Sequence, residues 1–207
     1  MKQKIGIFGG TFDPPHLGHF ALATAALQQL GLTKVLWLIT PDSPFKTGNP
    51  KTPIEHRIAM VRSAIASQPA FEICLAETER QGPHYTIDTL KLLVDQYAQV
   101  DLVLLIGGDS LSQFSTWKDP LGILEIVTEI GALYRPGDET NADAAFISLP
   151  QLRQKTVIIQ RPPISISSSD IRHRVSLGED ISAMVDAAVM KYIRKEHLYL
   201  SGKVKQV

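Results

Sequence analysis

Short apolar runs that stop at glycine or proline, each followed by a stretch with apolar residues at helical spacing, constrain this chain more than any other feature. Ile5-Gly6-Ile7-Phe8 ends at Gly9-Gly10, and Leu17, Ala21, Ala25, Leu27 and Leu30 then recur near helical steps up to Gly31. Val35 to Thr40 is a second apolar run, closed by Pro41. Beyond a proline-rich loop (41–53), Ile54, Ile58, Val61 and Ile65 mark one face of a helix with Pro53 at its start. Phe71 to Ala76 predicts a third strand, and Thr86 to Tyr97 a third helix with Ile87, Leu90, Leu93 and Val94 on one side. Asp101 to Ile106 is the most apolar run and suits the middle of a sheet covered on both faces. Strands at Ile130 to Tyr134 and Thr156 to Gln160, and helices at about Ser168 to Leu177 and Ala183 to Lys195, complete the pattern. Strands separated by helices form right-handed βαβ units, so the expected fold class is α/β, with a mainly parallel sheet and helices on both faces. We expect one domain over residues 1–200, with 201–207 as a flexible tail. In such sheets ligands bind beyond the carboxyl ends of the strands.

Composition narrows the partners. Among 207 residues, 21 Lys and Arg offset 21 Asp and Glu. A neutral chain lacks the basic surface that sequence-independent attraction to nucleic acid or anionic membrane needs. Cys74 is the single cysteine, so no intrachain disulfide and no multi-cysteine zinc site can form, and inside a strand it reads as a small core residue. Met1-Lys2-Gln3-Lys4 leads straight into the first strand without an apolar leader, and no run approaches the ~20 apolar residues that span a bilayer. The expected setting is cytoplasmic; a homo-oligomer stays open.

The most specific segment is Gly9-Gly10-Thr11-Phe12-Asp13-Pro14-Pro15-His16-Leu17-Gly18-His19, which leaves the first strand and opens the first helix. Glycines let a phosphate approach the backbone, whose N–H groups attract anions together with the helix dipole. His16 and His19, three apart, can face one point and donate to phosphate oxygens. A capping or core pair is the bland alternative; a zinc pair lacks a third ligand. Ser167-Ser168-Ser169 supplies an N-cap with N–H groups, and Arg172 follows one turn on, a second anion site or a plain cap with a surface charge. Asp109, after the most apolar strand, suits ribose hydroxyls, or else caps the next helix. Trp117 offers a flat ring for stacking, or else serves the core. Lys46, in the proline-rich loop, reaches a polyphosphate or stays in solvent; Arg135-Pro136-Gly137 closes a pocket or forms a turn.

The first segment resembles the His-x-Gly-His signature of the nucleotidyltransferase superfamily. More closely, the chain is similar to the bacterial nicotinate mononucleotide adenylyltransferases. Tyr85-Thr86-Ile87-Asp88-Thr89-Leu90, Ile106-Gly107-Gly108-Asp109-Ser110-Leu111 with Trp117, Ile166-Ser167-Ser168-Ser169-Asp170-Ile171-Arg172, and the later Tyr192-Ile193 and Leu198-Tyr199 carry that match, in order, over nearly the whole chain. The resemblance implies a Rossmann-like nucleotidyltransferase fold and adenylyl transfer from ATP, with Mg²⁺ on its triphosphate, to nicotinate mononucleotide. It implies that His16, His19, Lys46 and Arg172 carry catalysis and that no protein side chain is a metal ligand. ATP and its phosphates would meet Gly9, Gly10, Thr11, Phe12, Gly18, Ile106, Gly107, Asp109, Ser168 and Ser169. The pyridine nucleotide would meet the Tyr85-Thr86 backbone and stack on Trp117. The chain departs from the family in its loop, which reads Asp42-Ser43-Pro44-Phe45-Lys46 where Pro-Pro-His-Lys is common, and at His84, where serine is usual. Nicotinamide mononucleotide or phosphopantetheine as acceptor, and a non-catalytic nucleotide sensor, are alternatives. Phosphopantetheine enzymes, however, carry threonine at the His16 position. A dinucleotide-binding dehydrogenase would need a Gly-x-Gly-x-x-Gly turn, and here only Gly9-Gly10 and Gly18 follow the first strand.

Overall fold

A computed structural model describes residues 2–41, 52–133, 142–160 and 164–200. Its order is β1 (Lys4–Gly10), α1 (Leu17–Gln29), β2 (Lys34–Ile39), α2 (Ile54–Ile65), β3 (Phe71–Cys74), α3 (Thr86–Gln96) and β4 (Asp101–Gly107). Then follow α4 (Gly108–Ser112), α5 (Pro120–Ile126), β5 (Glu129–Leu133), α6 (Asp143–Ser148), α7 (Pro150–Lys155), β6 (Thr156–Ile158), α8 (Ser168–Ser176) and α9 (Ala187–Lys195). The six strands form one sheet in the order β3-β2-β1-β4-β5-β6, every pair parallel. The chain runs outward from β1 to β3, then returns to β4 on the other side of β1. That reversal opens a crevice at the carboxyl ends of β1 and β4, where doubly wound sheets take ligands.

Strand residues alternate between two cores. Ile5, Ile7, Leu36, Leu38, Leu102 and Leu104 pack under α3 and α5, against Ile87, Leu90, Leu93 and Ile123. Val35, Trp37, Ile39, Val103 and Leu105 face the other way, onto Leu22, Ala23 and Ala26 of α1 and Val61 and Ile65 of α2. A third, smaller cluster joins Met60 of α2 to Ile171 of α8 and Val189 and Ile193 of α9. It fastens the carboxyl-terminal helices beside the start of α1, where Leu17 N donates to Met184 O at 2.9 Å.

Boundaries shift where capping outranks periodicity. α9 begins at Ala187 and not at Ala183, because the Asp186 carboxylate accepts from Ala188 N at 2.7 Å and sets the first turn there. The short helices α4, α5, α6 and α7 lie in stretches for which the apolar spacing predicted none; five to seven residues are too few for a helical period to show. Lys46, Arg135-Pro136-Gly137 and the 201–207 tail fall outside the described residues. Among the described residues, no helix is long and apolar enough to cross a membrane.

Candidate active site

Gly9 and Gly10 end β1, and the chain then turns sharply into α1. Phe12 takes a left-handed φ of 46°, a conformation that costs a non-glycine residue free energy. Aromatic packing holds it there: its ring is buried and meets Phe8, His19 and Trp37 at centroid distances of 5.3, 5.1 and 5.0 Å. The Phe12 side chain is therefore committed to the core.

His16 is the N-cap of α1. His19 N donates to His16 Nδ1 at 3.3 Å, and His16 N donates to His19 Nδ1 at 3.2 Å. The two rings stack with centroids 3.6 Å apart. With both Nδ1 atoms accepting, the hydrogen-bond network assigns the N–H of each neutral imidazole to Nε2. A reciprocal cap thus orients two like donors side by side. Gly18 makes room for the arrangement, since a Cβ there would stand 3.0 Å from His16 Cε1 and Nδ1.

Distant elements hold the turn in place. Arg172 Nη1 donates to Asp13 O at 2.6 Å, Arg172 Nη2 to Ser169 Oγ at 3.2 Å, and Ser168 Oγ to Pro14 O at 2.9 Å. Ser167 caps α8 by accepting from Asp170 N at 3.1 Å. The α8 amino terminus, with its positive dipole end, is thereby fixed against the turn. The buried Asp13 carboxylate accepts from Tyr199 Oη at 2.7 Å and from Thr52 N at 3.1 Å. Burial, with the Asp13 charge beside it, pushes the Tyr199 hydroxyl far above the usual phenol range.

Arg57, which spacing alone did not single out, is 2% exposed. Its guanidinium donates to the carbonyls of Thr52 (3.0 Å), Thr11 (2.9 Å), Thr40 (2.8 Å) and Pro41 (3.1 Å). Its signal in the sequence was a charge on an apolar stripe, three residues after Ile54 and four before Val61. Asp13 had a signal too: an acid inside an anion-binding turn needs cationic or N–H partners of its own.

Beside the turn lies a cleft of about 630 Å³ between the ends of β1 and β4 and the start of α3. It collects Gly9, Gly10, Thr11, Tyr85, Thr86, Ile106, Gly107, Asp109 and Trp117. Asp109 is exposed on the first turn of α4, with Oδ1 accepting from Ser110 N at 2.9 Å. Gly107 keeps this turn open, because a Cβ would meet Asp109 Oδ1 at 2.7 Å. Trp117 is half-buried, its ring 5.1 Å from that of Phe114. Phe12, His16, Gly18, His19, Ser168, Ser169 and Arg172 are outside this lining, on or against the turn that continues from Gly9-Gly10-Thr11. Cys74 packs at the edge of one core, its thiol pushed up by burial. Among the described residues, no group of three His, Cys, Asp or Glu is disposed to hold a metal.

Comparison with known proteins agrees with this geometry. The family described as cytidylyltransferase-like matches residues 7–174. A protein of Thermomicrobium roseum named "Probable nicotinate-nucleotide adenylyltransferase" is 41% identical over 95% of this chain and 92% of its own. A relative of the same name from Roseiflexus sp. is 40% identical over 96% of this chain and 98% of its own. Among solved structures, Plasmodium falciparum nicotinic acid mononucleotide adenylyltransferase complexed with NaAD superposes with a TM-score of 0.75 at 22% identity, covering 95% of this chain and 97% of that one. The histidine-bearing turn, the all-parallel sheet and these full-length relatives together establish that the chain belongs to the cytidylyltransferase-like family, among its nicotinate-nucleotide adenylyltransferases.

Proposed function

We propose that the chain transfers the adenylyl group of ATP to nicotinate mononucleotide, releasing pyrophosphate and forming deamido-NAD. One observation carries the mechanism: two stacked imidazoles, both with Nε2 as donor, stand at the end of β1 against the amino terminus of α8 and beside the cleft. The acceptor's 5′-phosphate attacks the α-phosphorus in line and pyrophosphate leaves, which requires positioning and charge stabilisation but no protein nucleophile. His16 and His19 donate to the α- and β-phosphate oxygens, where negative charge shifts toward the leaving group. The Gly9–Phe12 backbone lies beneath them. Arg172, Ser168, Ser169 and the first N–H groups of α8 steady the pyrophosphate. We assign Lys46 to the same task on sequence grounds. Asp109 accepts from ribose hydroxyls, with the backbone at Ile106-Gly107 beside adenine. The pyridine ring stacks on Trp117, and the Tyr85-Thr86 backbone meets its substituent. Mg²⁺ enters on the triphosphate as part of the nucleotide substrate, and the setting is the cytoplasm.

The test is pyrophosphate release from ATP and Mg²⁺ with nicotinate mononucleotide, nicotinamide mononucleotide or phosphopantetheine supplied separately. Turnover with a pyridine mononucleotide is the expected result. Turnover confined to phosphopantetheine, or none, would overturn the proposal.

A further inference from the structure

Tyr199 does not line the cleft, yet its hydroxyl is committed to the histidine-bearing turn. Its ring packs against the third apolar cluster, formed by α2, α8 and α9. Its Oη leaves that cluster, passing Met60 Sδ at 3.9 Å, and donates to Asp13 Oδ1 at 2.7 Å. The other oxygen of Asp13 accepts from Thr52 N, and Arg172 holds the Asp13 carbonyl rather than its carboxylate. The backbone is bent to make this bond. α9 ends in the ordinary way, with His197 left-handed (φ 52°) and Leu198 N donating to Ile193 O at 3.0 Å. Two residues beyond His197, Tyr199 is left-handed again (φ 63°), which the helix end does not require. An aromatic residue keeps such a conformation only where surrounding contacts hold it, and a bond to a buried carboxylate is such a contact.

The residues after Asp13 decide what that bond transmits. Asp13 is joined to His16 by Pro14-Pro15, whose rings lock φ at about −65° and leave the link little freedom. On the far side of His16, Leu17 N donates to Met184 O at 2.9 Å. His16 is thus held from both sides by chain beyond α8, and it holds His19 through the reciprocal cap. We propose that Tyr199 is a positioning residue for the histidine pair: its hydroxyl fixes Asp13 and, through the two prolines, the place where both Nε2 donors stand. This rests on the adenylyl-transfer reading, in which those donors meet charge that develops on the phosphates. A donor displaced from developing charge loses interaction in the transition state, so the effect falls on kcat rather than KM.

Tyr199→Phe keeps the ring and removes the hydroxyl. Tyr192→Phe is its matched control: Tyr192 Oη lies 3.0 Å from His56 Nδ1, so the same group is lost beside the same cluster, from a partner on α2 rather than on the turn. Tyr199→Phe should lower kcat about tenfold, because displacements well under 1 Å already cost rate. Its KM values for ATP and the mononucleotide should stay within about twofold of wild type. Tyr192→Phe should keep the wild-type kcat, and thermal melts show that both variants are folded. Two-bond ¹H–¹⁵N spectra of the imidazoles give a readout independent of turnover. In the wild type His16 and His19 should show the Nε2–H tautomer; in Tyr199→Phe their signals should shift toward Nδ1–H as the reciprocal cap loosens, and in Tyr192→Phe they should not move. If the wild type turns over no pyridine mononucleotide while Tyr199→Phe alone moves these signals, the adenylyl-transfer reading fails and the positioning assignment stands. Unmoved His16 and His19 signals, equal movement in Tyr192→Phe, or an unchanged kcat in an active enzyme would overturn the assignment.

Discussion

The turn after β1 and the wall between β3 and α3 flank the same cleft and are held in opposite ways. At the turn, the carbonyls of Thr11, Asp13 and Pro14 accept from Arg57, Arg172 and Ser168, and the Asp13 carboxylate from Tyr199 and Thr52. The wall leaves Glu77, Arg80 and His84 each with a buried atom unpaired among the described residues. Phosphate chemistry is the same whatever the acceptor, and it benefits from donors fixed before substrate arrives. The contrast separates a turn whose polar groups are paired in advance from a wall that keeps buried polar atoms without a partner among the described residues.

His19→Ala tests that separation with the largest expected effect. We expect kcat to fall by about 10²–10³-fold, the range typical for loss of one donor to developing charge, while the ratio of nicotinate to nicotinamide mononucleotide stays as in the wild type. Steady-state kinetics with both acceptors checks it; a shifted ratio would show that the turn also chooses.

Arg57→Met comes next. It strips four backbone carbonyls of a charged donor and should cost about 3 kcal/mol or more of unfolding free energy, since hydrogen bonds to charged groups are worth about 1.5–3 kcal/mol each. Denaturant melts measure it. The isosteric Glu77→Gln should lose far less, because its outer oxygen has no bond to lose; equal losses would erase the contrast.

Tyr199→Phe is the mildest. Loss of one hydroxyl on a buried carboxylate should cost about 1–2 kcal/mol. It also has a pH signature. Burial raises the folded-state phenol above its unfolded value of about 10, so its contribution is fully present below that pH and is lost as pH rises beyond it. Thermal melts from pH 9 to 11 should fall more steeply for the wild type than for Tyr199→Phe.

Much of this was legible in residue order. The strand–helix alternation gave the parallel sheet, because each βαβ unit is decided locally by apolar period and glycine stops. Gly9-Gly10 and the histidine pair were visible because their chemistry is compressed into eleven consecutive residues. What escaped depends on long-range partners. Arg57 looked like one more charge in an amphipathic helix until its four carbonyls, at positions 11, 40, 41 and 52, converged on it. His84 was noticeable only as a departure from a family habit, and its burial with Nδ1 unpaired among the described residues is something no spacing encodes. The short helices α6 and α7 rest on core contacts of Ala145 and Leu152 rather than on a period of their own.

Arg57 has a consequence for how such enzymes can diverge. Its guanidinium holds the carbonyls of both Pro41 and Thr52, so two stretches of chain eleven positions apart share one side chain. Because the same guanidinium also holds the carbonyls of Thr11 and Thr40, a change at position 57 cannot be absorbed by one element alone. Divergence at this position has to be concerted: the histidine turn, the end of β2 and the approach to α2 must change together or keep the arginine.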